Sequence, residues 1–146
     1  MKEKVIVVSG GANGIGAEIS ARLAAEGARV VISDLNGAQA EARAASIGTG
    51  GGGALGLACD ITSPEQCEAV VQAAVEKFGR LDGMVNCAGI SKPHDSITLP
   101  PADWARMVDV QLSGAFYFAQ ACAKRMVENG GAIVFITSTN AEAAFP

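Results

Sequence analysis

Hydrophobic residues recur along the chain in two alternating patterns. Short runs of branched apolar residues alternate with longer segments in which apolar positions recur three or four residues apart. The first pattern is typical of strands and the second of amphipathic helices. The runs predict strands over residues 4–8, 29–33, 54–59, 82–89 and 132–138. The longer segments predict helices over residues 14–26, 37–47, 64–78 and from Pro101 to just before Asn129.

Serine, proline and glycine mark where these elements begin and end. Ser63, Pro64 and Gln66 supply an N-cap serine, a proline at the first helical position and a glutamine at the capping-box position. Gly79 is expected to end the same helix. The glycine-rich run 48–53 predicts a flexible surface loop, with a low-complexity linker as the alternative.

The order of the elements predicts the fold class. Strands that are apolar on both faces are typical of a parallel sheet covered by helices on both sides. Right-handed crossovers leave few topologies, and the doubly wound sheet is the commonest of them. We therefore expect residues 1–146 to form one α/β domain with a doubly wound, Rossmann-like parallel sheet, without an internal repeat.

Composition narrows the possible partners. The formal net charge is −4 and no basic stripe is visible, which argues against nucleic acid as a partner. The longest uncharged segment, Val110–Ala123, is shorter than the roughly 20 apolar residues of a membrane span and predicts a buried helix instead. The apolar run Val5–Val8 is too short for a secretion signal, so we expect a cytoplasmic protein.

The number and spacing of the cysteines indicate whether the chain is expected to bind a metal or to form disulfides. The chain has four cysteines, no CxxC pair and a single histidine, His94. This pattern favours buried thiols in a reducing cytoplasm over a zinc site or a disulfide framework, so no metal is expected. The cysteines are Cys59, Cys67, Cys87 and Cys122.

The glycine-rich turn after the first strand carries the candidate chemistry. Residues Ser9 to Gly16 read S-G-x-x-x-G-x-G and lead directly into the first predicted helix. In a doubly wound sheet that helix points its unpaired N–H groups into the crevice at the carboxyl ends of the strands, where a pyrophosphate is stabilised. We expect Gly10, Gly14 and Gly16 to make room for such a ligand, with a purely structural turn as the alternative.

Polar residues end the following strands at the same crevice. Asp34 ends the second strand, where a carboxylate can accept a hydrogen bond from a ribose 2′-hydroxyl. A carboxylate there repels a 2′-phosphate, so NAD is favoured over NADP; a solvated strand-end aspartate is the alternative. Asp60 and residues 86–89 end the third and fourth strands and are expected to line the crevice as well.

In order and at these spacings, the motifs resemble the classical short-chain dehydrogenase/reductase family over essentially the whole chain. "SGGANGIG" resembles its cofactor turn, "SDLN" its ribose-contacting strand end, "CDIT" its adenine-contacting strand end, "NCAG" its fourth-strand signature and "GGAIVFITS" the strand leading to the catalytic serine. The resemblance implies reversible hydride transfer between a nicotinamide cofactor and an alcohol or carbonyl. It implies cofactor contacts at Gly10, Asn13, Gly14, Ile15, Gly16, Asp34, Leu35, Asp60, Ile61, Asn86, Ala88 and Gly89.

The same resemblance assigns two catalytic positions. Ser138 is expected to hydrogen-bond the reacting oxygen and stabilise its developing charge, with a turn former as the alternative. The family's asparagine, which helps hold a proton-relaying water, corresponds to Gln111. Glutamine keeps the amide but adds a methylene, so Gln111 is either a relay residue or a polar residue at the edge of the core.

The family's acid/base pair, a tyrosine and lysine spaced YxxxK, is missing from the chain. The sole tyrosine, Tyr117, lies in the preceding helix with Ala121 four residues later, and is expected to be a packing residue. We therefore expect the chain to be incomplete at its C-terminal end, with later strands and helices missing, and inactive by itself. Its fifth strand would then be an exposed edge.

Two other functions and several assignments stay open. A non-catalytic dinucleotide-binding sensor or scaffold accounts for Gln111 and the missing pair, whereas a methyltransferase leaves the "NCAG" stretch and Ser138 unexplained. The family usually forms dimers or tetramers, and the consecutive aromatic residues 116–118 cannot all face one core, so we expect one to point outward into a subunit contact. The substrate is open among polyols, sugars, hydroxysteroids and hydroxyacyl compounds. We expect His94 and Asp95 to be solvated and Thr139 and Asn140 to be candidates for facing the substrate.

Overall fold

The computed structural model describes residues 1–47, 53–91 and 95–138. Its five strands are β1 (Val5–Ser9), β2 (Arg29–Asp34), β3 (Ala54–Ala58), β4 (Gly83–Asn86) and β5 (Ala132–Phe135). Its α-helices are α1 (Gly14–Ala25), α2 (Gly37–Ile47), α3 (Pro64–Phe78), α4 (Pro101–Val108) and α5 (Ala115–Met126). A π-helical segment, Asp109–Gly114, joins α4 to α5.

All neighbouring strands pair in parallel, in the order β3-β2-β1-β4-β5. The chain thus builds outward from β1 on one side and then restarts on the other, which confirms the predicted doubly wound sheet. In the ladders Ser9 is paired with Ser33 on one side and with Asn86 on the other. This register brings the carboxyl ends of β1, β2 and β4 level with one another at the point where the strand order reverses.

Residues of β1 alternate between two hydrophobic clusters, one on each face of the sheet. Val5 and Val7 belong to the cluster that includes α3 and α5, whereas Ile6 and Val8 belong to the cluster that includes α2. Hydrophobic clusters therefore cover both faces of the sheet, and this explains why residues 5–8 contain no polar side chain. Burying a side chain of this size stabilises the fold by about 1.5–3 kcal/mol.

The start of α3 forms as predicted, with one difference. Ser63 Oγ accepts a hydrogen bond from the Gln66 amide (3.3 Å), Pro64 occupies the first turn, and Gly79 ends the helix with a left-handed φ of 80°. However, Gln66 Oε1 accepts from the Asp60 amide (2.8 Å), because the Ser63 amide already donates to the Asp60 carbonyl. The expected capping box is thus replaced by a tie between α3 and the end of β3.

The long predicted helix is continuous from Pro101 to Met126, but its centre is not α-helical. Backbone dihedral angles stay helical through both junctions, while residues 109–114 take π-helical hydrogen bonding. π-Helical segments are rare and occur frequently at functional sites. None of the described helices is long and apolar enough to cross a membrane.

Three strands end earlier than the sequence pattern predicts. Residues 87–89 leave β4 after Asn86, residues 136–138 leave β5 after Phe135, and β3 ends at Ala58 instead of residue 59. Single backbone bonds, such as the Ile136 amide to the Asn86 carbonyl (2.9 Å), extend just past the ladders. Cys87 and Ala88 still pack against the hydrophobic clusters although they no longer pair, whereas residues 136–138 are exposed. Most of the predicted 48–53 loop lies outside the described residues.

Candidate functional site

A cleft of about 340 Å³ lies at the carboxyl ends of β1 to β4. Its walls are the glycine turn after β1, the ends of β2, β3 and β4, and two residues of the long helix, Arg106 and Val110. Most of the predicted cofactor-contacting residues line it. They are Gly10, Asn13, Gly14, Asp34, Leu35, Asp60, Ile61, Ala88 and Gly89.

Three predicted contact residues do not line the cleft. Ile15 projects into solvent with 65% of its surface exposed. Gly16 is buried beneath the turn, and Asn86 is buried behind the lining. The Ser9 hydroxyl donates to Asn86 Oδ1, so this amide fastens β1 to β4 below the cleft.

The turn requires glycine at its three positions for different physical reasons. A Cβ on Gly10 would lie 2.8 Å from the Ala88 nitrogen, and one on Gly16 would lie 2.1 Å from the Gly10 carbonyl oxygen. These two glycines therefore make room for the chain's own backbone, which corrects the expectation that all three make room for a ligand. Gly14 has a left-handed φ of 51° and open space around the Cβ position, so it leaves the mouth of the cleft free.

Asp34 fastens the glycine turn to the end of β2. Its carboxylate accepts hydrogen bonds from the amides of Ala12 (3.2 Å) and Asn36 (3.1 Å), and the Gly11 amide donates to the Ser33 carbonyl (3.2 Å). The carboxylate also lines the cleft, and its remaining lone pairs can accept from a hydroxyl group of a ligand. One residue thus holds the turn in place and presents a negative charge beside it.

The hydroxyl of Ser33 is buried at the cleft without a partner. The residue is 1% exposed, and its Oγ forms no hydrogen bond with any part of the chain that the structure describes. Ser33 also lines the cleft. An unpaired buried hydroxyl is costly, so a polar ligand or an ordered water is expected to satisfy it.

The N-terminus of α1 faces the same cleft. The Asn13 side chain does not cap the helix, and its Nδ2 instead donates to Gln39 Oε1 (2.6 Å). The amide groups of the first turn therefore have no side-chain cap from Asn13, and the positive end of the helix dipole favours an anion there.

Asp60 is held as a carboxylate by its neighbours. Hydrogen bonds from the Thr62 hydroxyl (2.7 Å) and the Thr62 amide (2.9 Å) lower the pKa of the Asp60 carboxyl, against a smaller effect of burial, and Arg106 lowers it further. The Arg106 guanidinium lies 3.9 Å from Asp60 Oδ2. Arg106 was not predicted from the sequence. Its position four residues before Val110, which places both residues on one face of the helix, could have indicated it.

The two predicted catalytic residues lie near the edge of this region and not on the cleft wall. The Gln111 side chain is exposed, and its Oε1 lies 3.6 Å from the position of a Cβ on Gly89. Ser138 is exposed and follows the carboxyl end of β5, the strand beside β4. Tyr117 packs against the main hydrophobic cluster, which confirms its prediction as a packing residue.

The thiols are mostly buried, as predicted. Cys59, Cys67 and Cys122 are buried and free, whereas Cys87 is half-buried in the cleft wall, where burial raises its pKa. Asp95 is exposed and accepts from the Ile97 amide (2.9 Å). The candidates His94, Thr139 and Asn140 lie outside the described residues.

The residues of the cleft fit a dinucleotide. An open helix N-terminus suits phosphate, carboxylates and an unpaired hydroxyl suit a sugar, and the apolar side chains of Ile61, Ile90 and Val110 suit a flat base. The fold is that of the doubly wound parallel-sheet proteins, whose ligands bind where the strand order reverses.

Comparisons with known proteins identify the family. The model of the short chain dehydrogenase family matches residues 4–146. D-threitol dehydrogenase of Mycolicibacterium smegmatis is 42% identical over 142 residues, which are 97% of this chain and 55% of that protein. L-rhamnose 1-dehydrogenase (NAD(P)(+)) of Azotobacter vinelandii is 38% identical, covering 95% of this chain and 57% of that protein. The crystal structure of gox2181 superposes with a TM-score of 0.94 at 32% identity, covering 99% of this chain and 57% of that one.

The chain belongs to the short chain dehydrogenase family, which confirms the resemblance seen in the sequence. The chain spans about half the length of the curated relatives it matches.

Proposed function

We propose that this chain is the NAD-binding part of an oxidoreductase that transfers hydride between a nicotinamide cofactor and an alcohol or carbonyl substrate. The observation that carries the proposal is the Asp34 carboxylate, which lines the cleft beside the open mouth at Gly14. Membership of the dehydrogenase family supports the reaction class. The bound cofactor supplies the hydride donor or acceptor.

Each part of the cleft has a distinct role in holding the dinucleotide. The N-terminus of α1 and the backbone at Gly14 bind the diphosphate, since both favour negative charge close to the main chain. Asp34 accepts hydrogen bonds from the adenosine ribose, and the unpaired Ser33 hydroxyl gains a partner nearby. Asp60 and Ile61 hold the adenine, while Ala88 and Gly89 line the path toward the nicotinamide.

Cofactor preference follows from charge. A carboxylate at Asp34 repels a 2′-phosphate, so NAD is preferred over NADP. The nearby cation, Arg106, is drawn toward Asp60 at 3.9 Å, which reduces the attraction it offers to a phosphate.

Two residues at the edge of the cleft complete the proposed assignment. Ser138 hydrogen-bonds the reacting oxygen, and Gln111 helps to hold a proton-relaying water beside Gly89. Tyr117, the only tyrosine, packs against the core and is not available as an acid/base group. We therefore infer that these 146 residues by themselves do not complete the reaction.

The substrate class and the assembly are part of the same proposal. The two curated relatives named above are called dehydrogenases of a polyol and of a sugar, which favours a small-molecule alcohol over a macromolecule. Phe116, Leu112 and Trp104 expose apolar surface along the long helix, so we propose a cytoplasmic homodimer or homotetramer that buries it.

Calorimetric titration with NAD and NADP tests the site. The protein is expected to bind NAD more tightly than NADP, and Asp34→Asn is expected to weaken NAD at least tenfold while reducing the preference. Asp95→Asn is the matched control, because Asp95, like Asp34, accepts the amide two residues later but does not line the cleft. An unchanged NAD affinity in Asp34→Asn would contradict the assignment.

A turnover assay separates the proposed enzyme from a non-catalytic binder. If the longest product of the gene binds NAD but does not reduce it with any of a panel of polyols, sugars and hydroxysteroids, the sensor or scaffold function is favoured. Gln111, at the position where the family's asparagine is expected, is the sequence feature that supports this second function.

A further inference from the structure

The Ser33 hydroxyl in the floor of the cleft is buried and has unused hydrogen-bonding capacity. Ser33 is 1% exposed and lines the cleft, and its Oγ forms no hydrogen bond within residues 1–47, 53–91 and 95–138. Its backbone, by contrast, is held in place, because the Gly11 amide donates to the Ser33 carbonyl (3.2 Å) and β2 pairs with a strand on each side. The residue is therefore positioned firmly while its side chain keeps an open hydrogen-bonding group.

The neighbouring strands do not supply a partner for this hydroxyl. In the ladders Ser33 lies opposite Leu57 of β3 and Ser9 of β1. The leucine side chain has no polar atom, and the Ser9 hydroxyl donates its proton in the other direction, to Asn86 Oδ1. Because a buried hydroxyl is costly to leave unpaired, the partner of Ser33 is expected to enter through the cleft.

The face of the sheet on which Ser33 lies indicates which part of a dinucleotide it meets. A hydroxyl by itself suits a sugar as well as a base. Val31 belongs to the hydrophobic cluster that contains Ile61 and Val110, and successive side chains of a strand point to opposite faces. Ser33 therefore shares a face with Ile61 and Val110, the apolar residues of the cleft that suit a flat base. Asp34, one residue later, points to the opposite face.

We propose that the Ser33 hydroxyl recognises the base of the bound dinucleotide by donating a hydrogen bond to a ring nitrogen of adenine. The inference rests on the proposed function and deepens it, because it adds a group that recognises the base to the Asp34 carboxylate that recognises the ribose. Adenine offers acceptor nitrogens as well as an amino group that donates. The Asp60 carboxylate only accepts, so Ser33 supplies the donor that Asp60 lacks.

Calorimetric titration of the full-length protein with NAD and with adenosine monophosphate tests the proposal. Ser33→Ala is expected to weaken both ligands by the same factor, about three- to tenfold, because both lose one hydrogen bond to the base. Ser46→Ala is the control, an exposed serine outside the cleft, and it is expected to bind both as the wild type does. Unchanged affinities in Ser33→Ala would overturn the proposal, whereas a wild-type protein that binds neither ligand would overturn the proposed function itself.

Analogues of adenosine monophosphate in which a CH group replaces one ring nitrogen identify the partner atom. The 1-deaza, 3-deaza and 7-deaza compounds each remove one acceptor from the base. The analogue that lacks the partner nitrogen is expected to bind the wild-type protein more weakly than adenosine monophosphate, and to lose no further affinity in Ser33→Ala. A loss in Ser33→Ala that persists with every analogue would assign the partner to the ribose or the phosphate and would contradict the proposal.

Urea unfolding of the free protein gives a second readout, which depends on no ligand. Ser33→Ala is expected to unfold at or above the urea concentration of the wild type, because the hydroxyl forms no hydrogen bond within the described fold. Ser9→Ala is the matched control, a buried serine at the same level of the sheet. Its midpoint is expected to fall, because Asn86 Oδ1 loses the proton of Ser9. A lower midpoint in Ser33→Ala would show that the hydroxyl already has a partner in the free protein, and the proposal would be wrong.

Discussion

At the scale of single residues, Gly16 shows how a motif position can be fixed by packing alone. The Cβ of an alanine would lie 2.1 Å from the Gly10 carbonyl oxygen, a distance that only movement of α1 or of the turn could relieve. Gly16→Ala is therefore expected to lower the free energy of unfolding by about 3 kcal/mol or more. Urea unfolding followed by circular dichroism measures this.

Gly14→Ala is the control for that substitution. Gly14 has a left-handed φ but open space around it, so an alanine there pays only the backbone strain of about 1 kcal/mol. Equal losses in the two variants would show that strain, and not the close approach at Gly16, decides the cost.

Asp82 is a charged residue that the sequence reasoning did not single out. Its carboxylate accepts from Lys4 Nζ (2.9 Å), from the Val5 amide (3.0 Å) and from Arg80 (2.8 Å to Nε). Burial raises the pKa of this carboxyl, but the hydrogen bonds from Arg80, Val5 and Lys4 outweigh it and lower the pKa to about 2. The cluster fastens the start of β1 to the segment that leads into β4.

A pH dependence of stability follows from this shift. Because the folded pKa of Asp82 is about 2 and its usual value is 3.8, the stabilisation is fully present above pH 3.8 and is lost as pH falls through about 2. Asp82→Asn is expected to cost about 1–2 kcal/mol near neutral pH, with the exposed partners Lys4 and Arg80 keeping the value modest. Urea unfolding between about pH 6 and pH 2 should show the difference between the two proteins shrinking toward the acid end; a constant difference would contradict the assignment.

At the scale of secondary-structure elements, α3 offers the sharpest test of a local signal. Ser63 Oγ accepts the Gln66 amide, so Ser63→Ala is expected to lower the free energy of unfolding by about 1 kcal/mol. Ser46→Ala is the control, because the Ser46 hydroxyl is exposed and only donates to the Arg43 carbonyl near the end of α2. Urea unfolding compares them, and equal effects would mean that the cap contributes nothing.

The elements themselves could be read from the sequence, but two of their features could not. Apolar runs fix β1 and β2 because both faces are buried, and Ser63, Pro64 and Gly79 fix α3 through local backbone chemistry. The π-helical segment 109–114 was not predicted, because the spacing of hydrophobic residues barely distinguishes an α-helix from a π-helix over six residues. The early ends of β4 and β5 were not predicted, because strand pairing, unlike burial, depends on where a partner strand lies.

The candidate site was predictable where it follows the strand ends and unpredictable where distant segments meet. Gly14, Asp34 and Asp60 could be placed from the strand pattern alone. The unpaired Ser33 hydroxyl and the approach of Arg106 to Asp60 depend on how the helices cover the sheet, which no local pattern states.

At the scale of the whole molecule, the long helix leaves apolar surface uncovered. Phe118 is buried and Tyr117 is half-buried, whereas Phe116 is 58% exposed, which confirms that one of the three aromatic residues points outward. Phe116→Ser is expected to lower the mass measured by light scattering from that of a dimer or tetramer toward that of a monomer. Ile97→Ser is the control, an exposed apolar residue in the loop before α4. A wild-type protein that is already monomeric would contradict the proposed assembly.

The double duty of Asp34 limits how the protein could be re-engineered. The same carboxylate that repels a phosphorylated ribose also accepts the Ala12 amide and so anchors the glycine turn. Exchanging it for a basic side chain, which has no acceptor atom, to admit NADP would remove the hydrogen bond that anchors the turn while it changes the coenzyme preference. A successful redesign of coenzyme choice must therefore bring its own acceptor for the Ala12 amide.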